Sequence, residues 1–428
     1  MTEGLIILSM FLMIAIGVPI AVSILGAALI GMYLLNGSLG FLNAALSLYD
    51  GATSFPLIAI PLFVLAGALM NTGGISTRLI TFVSSLIGFV RGGLAMVNVG
   101  VSLFFAEISG SAVADVAATG SILIPAMKKK GYSPRFAAAI TSSSASLAII
   151  IPPSIPMILY GALSDTSIVQ LFVAGIVPGL LGAGGLMALS WYFAVKYDLP
   201  REEAFDLCRV WSTFKGAGWA LVLPLIILGG IFGGIVTATE GAGLAVLAAL
   251  LIGGFVYREL DARKLYSALV DGVNQTAIVM LLVAASAVLG LYLTETQLPQ
   301  RLAEGITTIT TNKIAVLLII NVFLLGVGMV LHGAAAIILT VPVFMPLVRE
   351  IGIDPVHFGI LLTLNIALGQ QTPPVASVLI TACSIAKTDV WATTRTNLPF
   401  IGVLVAVLLL VTYVPAVPLW LVGLFYGS

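Results

Sequence analysis

Charge is scarce in this chain: Lys, Arg, Asp and Glu together make up 8% of 428 residues, and they cancel to a net charge of zero. That leaves no basic footprint for nucleic acid, and no nucleic-acid module can be read along the sequence. Cysteine and histidine are scarcer still. Cys208 and Cys383 stand alone, which excludes a disulfide framework and metal-ligand spacing. His332 and His357 lie far from any ligand cluster, so a metalloenzyme is excluded as well. The N-terminus, Met1-Thr2-Glu3-Gly4, carries no basic stretch and no small-residue cleavage site before a continuing apolar segment. The first helix is therefore expected to remain on the protein.

What is abundant is apolar surface. With 60% hydrophobic residues, a chain of this length has too few polar groups to cover itself in water. Apolar runs at 4–35, 219–257, 274–293 and 400–414 each supply one or two spans of about 20 residues. The fold class that follows is an all-α polytopic membrane protein with no separate soluble domain.

The chain also repeats itself. Pro125, Gly131, Pro134, Pro152 and Pro153 recur as Pro346, Gly352, Pro355, Pro373 and Pro374, each shifted by 221 positions without a gap. Proline and glycine mark helix breaks, so two copies of one pattern imply two copies of one folded unit. As a single helix, 96–127 would run about 48 Å, beyond a hydrocarbon core of roughly 30 Å. It is interrupted at Ser109-Gly110-Ser111, and its arms are then too short to cross. The segment reads as a re-entrant hairpin, with Arg91 before it and Lys128-Lys129-Lys130 after it. The predicted organisation is a first repeat at 1–197 (hairpin 96–130, broken helix 133–163), a cytosolic interfacial linker at 198–216 and a second repeat at 217–428 (hairpin 314–350, broken helix 355–386). Two arm helices, 75–91 and 298–313, align through Arg78 with Arg301.

Spans are expected at 4–16, 19–35, 55–71, 135–163, 169–196, 219–236, 238–257, 272–294, 355–386 and 398–416. If both hairpins return to their own side, every Lys and Arg except Arg301, Lys313 and Arg349 falls on one face. The bias weakens if the hairpins cross, so the hairpin reading is preferred. The basic face is then cytoplasmic, both termini are periplasmic, and the two repeats are inverted. Inverted repeats of this kind place a binding site at mid-membrane between them.

Four breaks should converge there: Ser109-Gly110-Ser111, Pro152-Pro153-Ser154, His332-Gly333 and the stretch Gly369-Gln370-Gln371-Thr372-Pro373-Pro374. Irregular backbone is tolerated at that depth only where it faces protein or a polar cavity. Freed carbonyls with Ser and Thr hydroxyls suit a hard monovalent cation, and half-helix N-termini suit a carboxylate. Small residues also serve plain helix packing, the reading given to Ser142, Ser143, Ser144 and Ser146. Glu107 and Asp115 either shape the first hairpin tip or touch an ion. Glu240 is read as a helix-start carboxylate. His332 occupies the place of Ser111 in the repeat, as a binding residue or as a satisfied buried histidine.

Taken together, the stretch from Phe55 through Pro56 and Pro61 to Gly67, Ile108-Ser109-Gly110-Ser111, Ile124-Pro125 with Lys130-Gly131-Tyr132, Pro152-Pro153-Ser154-Ile155-Pro156 and Gly369 to Pro374 closely resemble the large membrane subunit (DctM/SiaM-type) of TRAP, tripartite ATP-independent periplasmic, transporters, most like the sialic acid branch. The resemblance covers essentially the whole chain. It implies a sodium-driven importer of a small carboxylate, sialic acid first and a C4-dicarboxylate or sugar acid as the alternative, in the bacterial inner membrane, working as an elevator. It implies two partners on separate chains, a periplasmic substrate-binding protein and a small four-helix membrane subunit. Carried onto this sequence, sodium would be held by Ser109, Gly110 and Pro152 on one side and by Gly333, Gln371, Thr372 and Pro373 on the other. Substrate would lie near Ser109, Ser111, Ser154 and His332. One departure is Ala238 in Thr237-Ala238-Thr239-Glu240, where the family usually has Pro. The rival readings are weaker: a channel needs a ring of charges or carbonyls, and an intramembrane enzyme needs a histidine base in a catalytic motif.

Overall fold

The computed structural model describes residues 2–201, 204–310 and 312–427, and the side chains of all of these except 2, 3, 106–109, 307 and 309. The described residues form helices and no strand. Eight helical segments among them are long and apolar enough to cross a membrane. The chain opens with α1 (Thr2–Ala15), α2 (Ile20–Asn36), α3 (Leu39–Thr53), α4 (Ala59–Thr72) and α5 (Ile75–Ile87). A hairpin follows: α6 (Gly93–Ser109), then α7 (Ala112–Asp115) running through a π-helical turn at Val116–Gly120 into α8 (Ser121–Lys129). The first broken helix is α9 (Pro134–Ala145) and α10 (Ile155–Ser164), and α11 (Ile168–Lys196) closes the half.

The same order then returns. It comprises α12 (Leu207–Phe232), α13 (Ala238–Leu251), α14 (Ala262–Glu295), the short α15 (Leu298–Ile309), a hairpin of α16 (Lys313–Val330) and α17 (Gly333–Glu350), a broken helix of α18 (Pro355–Gly369) and α19 (Ser377–Ala386), and α20 (Val390–Tyr413). A short α21 (Ala416–Tyr426) follows the last long helix.

Matched punctuation does matched work. Gly131 and Gly352 both take positive φ, +89° and +70°, a conformation that favours glycine, in the turn between hairpin and broken helix. Pro134 and Pro355 are the first residues of α9 and α18, where a missing N–H costs nothing. One residue earlier, Ser133 and Asp354 cap the two helices, accepting from Phe136 N at 3.2 Å and His357 N at 2.9 Å. Pro152-Pro153 and Pro373-Pro374 are both cis.

Three boundaries differ from the sequence reading. Residues 39–53, left there as a connection, form α3, and α3 with α4 matches the single 34-residue α14 at an offset of 223. The difference is Pro56, which ends the first copy's helix at Thr53; the second copy has Val279 at that position and runs on unbroken. The linker at 198–216 is helical from Leu207, capped by Asp206, so α12 begins about three turns before the expected span. The helix expected from 272 likewise starts at Ala262, capped by Asp261.

Two helices approach closely where glycines meet. Gly328 on α16 and Gly369 at the end of α18 touch backbone to backbone, and a Cβ on Gly369 would overlap the Gly328 main chain. Gly369→Ala should therefore destabilise the folded protein by roughly 1–3 kcal/mol, through overpacking. Gly402→Ala, in open space, should not. Thermal unfolding of the two variants in one detergent measures the difference; equal melting temperatures would contradict the close crossing.

Candidate functional site

The first hairpin tip is Gly110, at φ +55° between α6 and α7. A Cβ there would lie 2.9 Å from Ile155 N and 3.2 Å from the Pro153 carbonyl oxygen, so the tip rests directly on the first helix break. Ser111 is extended and caps α7, its carbonyl accepting from Asp115 N at 2.9 Å. Ser154 is buried behind the tip, and its hydroxyl donates to Ile149 O at 2.6 Å. Pro152 is buried beside it. The side chains of Ser109 and Glu107 lie outside the described residues.

The second tip is built from Leu331 and His332, both extended, before α17 starts at Gly333. A Cβ on Gly333 would come within 2.8 Å of Gln370 Nε2, so it is Gln370 that faces this tip. Gln371 points elsewhere. Its Oε1 lies 2.7 Å from Ser143 Oγ, and its Nε2 donates to Ser146 Oγ at 2.6 Å, both on the first broken helix. Thr372 donates to Leu368 O at 2.9 Å within its own turn. Beyond Pro373 and Pro374, Val375 N donates to Met329 O at 3.2 Å, stitching the second break to α16.

Between the tips lies a cavity of about 460 Å³, within the range of small-molecule sites. Gly110, Ser111, His332 and Gly333 line it, so the structure brings both tips to one space. Pro152, Ser154, Gln371, Thr372 and Pro373 are not on its wall. Two further polar residues line it: Gln370, which the sequence marks as part of the second break but not as a ligand, and Gln275 from α14, which sequence reasoning missed. Gln370 sits within a motif already marked by the repeat; Gln275 gives no local signal, because α14 is unbroken there.

The predicted acidic residues separate clearly. Glu240 forms a capping box, its Oε2 accepting from Thr237 N at 2.8 Å while Thr237 Oγ1 accepts from Glu240 N at 3.2 Å. It is exposed at the start of α13. Asp115 is fully buried on the hairpin with the Ser102 and Thr119 hydroxyls beside its carboxylate. Those hydroxyls donate to Ser144 Oγ and to the Asp115 carbonyl, and neither carboxylate oxygen accepts a well-formed hydrogen bond among the described residues. Burying a carboxylate in that state costs several kcal/mol, so it calls for a proton or a cation. Of the serines taken as packing residues, Ser143, Ser144 and Ser146 also hydrogen-bond across helices, while Ser142 Oγ has no partner among the described residues. Ser144 Oγ donates to Asn98 Oδ1 at 2.9 Å and Asn98 Nδ2 to Thr141 Oγ1 at 2.6 Å, tying the first hairpin arm to α9. In the second half Asn365 Nδ2 donates to Asn321 Oδ1 at 2.7 Å, tying α18 to α16.

Comparison with known proteins bears on this arrangement. Residues 7–417 match the family model described as "Tripartite ATP-independent periplasmic transporter, DctM component". The chain is 41% identical, over 96% of its length, to the isethionate TRAP transporter permease protein DctMQ of Oleidesulfovibrio alaskensis, of which it spans 65%. It is 38% identical to the sialic acid TRAP transporter large permease protein SiaM of Vibrio cholerae, covering 96% of each chain. The crystal structure of the Alcanivorax borkumensis YdaH transporter shares the fold, with a TM-score of 0.66 over 89% of each chain at 15% identity.

The geometry separates two adjacent glutamines. Gln371→Ala removes its bonds to Ser143 and Ser146, which keep Asn397 and Ala367 O as partners, and should cost about 1 kcal/mol of stability. Gln370→Ala faces the cavity and should leave the melting temperature within error while weakening ligand protection of the fold. Melting curves of both variants, with and without ligand, test the assignment; the reverse pattern would overturn it.

Proposed function

The chain belongs to the DctM-component family of tripartite ATP-independent periplasmic transporters, and from that membership we propose that it forms the membrane pathway for a small carboxylate, coupled to sodium and moved by an elevator displacement of the hairpins and broken helices. The observation that carries this reading is the single cavity shared by both hairpin tips. Among the described residues no Lys or Arg lines it, so the substrate's negative charge is met by backbone N–H groups. The N-termini of α17, at Gly333, and of the helical run from Ala112 point their partial positive charge at that space. His332 and Ser111 add side-chain donors, while Gln275 and Gln370 read the uncharged part of the ligand.

Backbone amides bind an anionic group without reading the rest of the molecule, which fits relatives of similar identity being named for isethionate and for sialic acid. Sialic acid is the first carboxylate to test and a C4-dicarboxylate, for which other relatives are named, the second; isethionate, a sulfonate, tests whether the pathway extends beyond carboxylates. Selection then rests largely on a periplasmic binding protein that delivers the substrate. A small four-helix membrane subunit on a separate chain completes the assembly, and the relative whose printed name joins M and Q supports such a partner. Both termini of this chain lie on the periplasmic side, with the Lys- and Arg-rich face in the cytoplasm. Sodium is cargo here. It sits against the first tip, between the Gly110 and Pro152-Pro153 backbones with Asp115 as its compensating charge, and against the second tip beside Gly333.

In proteoliposomes containing all three components, uptake should require an inward sodium gradient and the binding protein; undiminished uptake without either would refute the mechanism. Asp115→Asn should retain the fold, lower uptake at least about ten-fold and remove its sodium dependence, since the neutral amide leaves no buried negative charge for a cation to offset. Ser109→Ala combined with Ser111→Ala should reduce uptake without preventing membrane insertion. Full activity in that double variant would take the first tip out of the site.

A further inference from the structure

We propose that the cleft where α9, α11 and α20 meet, on the basic face, holds the headgroup of an anionic glycerophospholipid. A cavity of about 810 Å³ lined by Arg135 and Lys387 joins one of about 400 Å³ lined by Arg135 and Arg395, and Arg135, Phe136, Tyr197 and Thr396 belong to both. The three cations come from separate segments: the first turn of α9, the turn after α19 and the second turn of α20. Among the described residues the ion pairs are Arg78 with Glu259 and Arg91 with Asp198, so none of the three cleft cations has an acidic partner. The nearest acid in sequence, Asp389, caps α20 by accepting from Ala392 N at 2.7 Å and does not line either lobe.

Three converging cations with the hydroxyls of Ser133, Thr388 and Thr396 suit a phosphodiester, whose oxygens take charge-assisted hydrogen bonds from guanidinium and ammonium groups. The wall behind them is aromatic. Phe136 packs against Phe193 and Phe400 at centroid distances of 6.1 and 5.8 Å, and Tyr197 stacks on Phe193 at 5.8 Å. Such a wall accepts the glycerol and upper acyl carbons at headgroup level, where aromatic and cationic residues gather. The cleft shares no lining residue with the central cavity, and the 12-residue α9, about 18 Å long, separates it from the first helix break. It is therefore a separate site, and the free substrate anion is not its natural occupant.

Native mass spectrometry of the delipidated full chain, titrated with phosphatidylglycerol, phosphatidylcholine or inorganic phosphate, tests the proposal. Phosphatidylglycerol should be retained in preference to phosphatidylcholine. Arg135→Gln, Lys387→Gln and Arg395→Gln should each weaken retention about five-fold, the effect of removing one interfacial cation, while Arg395→Lys keeps most of it. Equal retention of the two lipids, or undiminished retention in the Gln variants, would overturn the site. Displacement of bound phosphatidylglycerol by millimolar inorganic phosphate would overturn the lipid assignment in favour of a free phosphate. Should a Gln variant fail to fold, the lipid preference of the unaltered chain still decides.

Discussion

Lipid offers no hydrogen bonds, and the architecture follows from that. Wherever a helix stops inside the bilayer, its freed N–H and C=O groups must be satisfied by protein or ligand. This chain stops its helices four times at the hairpin tips and breaks, and it brings each stop against another. Gly110 rests on Pro153 and Ile155, Gly333 rests on Gln370, and Val375 N bonds to Met329 O. The stops are stable as a set and costly singly, so they can face a common cavity.

The two halves meet where this mutual support is densest. Ser146 Oγ donates to Ala367 O at 3.3 Å, and these residues are 221 positions apart, the spacing of the repeat itself. A residue touches its own counterpart only beside the axis that relates the copies, so the pseudo-two-fold passes between the two broken helices there. Around that axis symmetry gives way. Gln371, Ser143 and Asn397 form a buried network whose members have no polar equivalents in the other half: at the 221-residue offset their places are taken by Ile150, Leu364 and Ile176. Polar pairs between packed membrane helices contribute on average about 0.6 kcal/mol each, so the network acts mainly by fixing how the halves register.

The fold was largely legible in the sequence because its punctuation is covalent. Gly131, Pro134 and their partners dictate backbone angles wherever they occur, and the repeat doubled the signal. What escaped notice had weaker marks. α3 is too short and too polar at Asn43 and Asp50 to look like a span, although the 223-residue offset to α14 contained it. The site was half legible. The tip residues Gly110, Ser111, His332 and Gly333 reach the cavity as their breaks suggest. Which of two neighbouring glutamines faces it depends on helical phase at the end of α18, and Gln275 on the packing of an unbroken helix. Neither is a property of local sequence.

The central claim is that both hairpin tips belong to one binding site. In a protein freed of its own thiols by Cys208→Ser and Cys383→Ser, Ser111→Cys and His332→Cys can each be labelled with a small thiol reagent during exposure to substrate and sodium. The account predicts that the same substrate protects both positions, with the same concentration dependence and the same requirement for sodium. Protection at one tip with unchanged labelling at the other would contradict it.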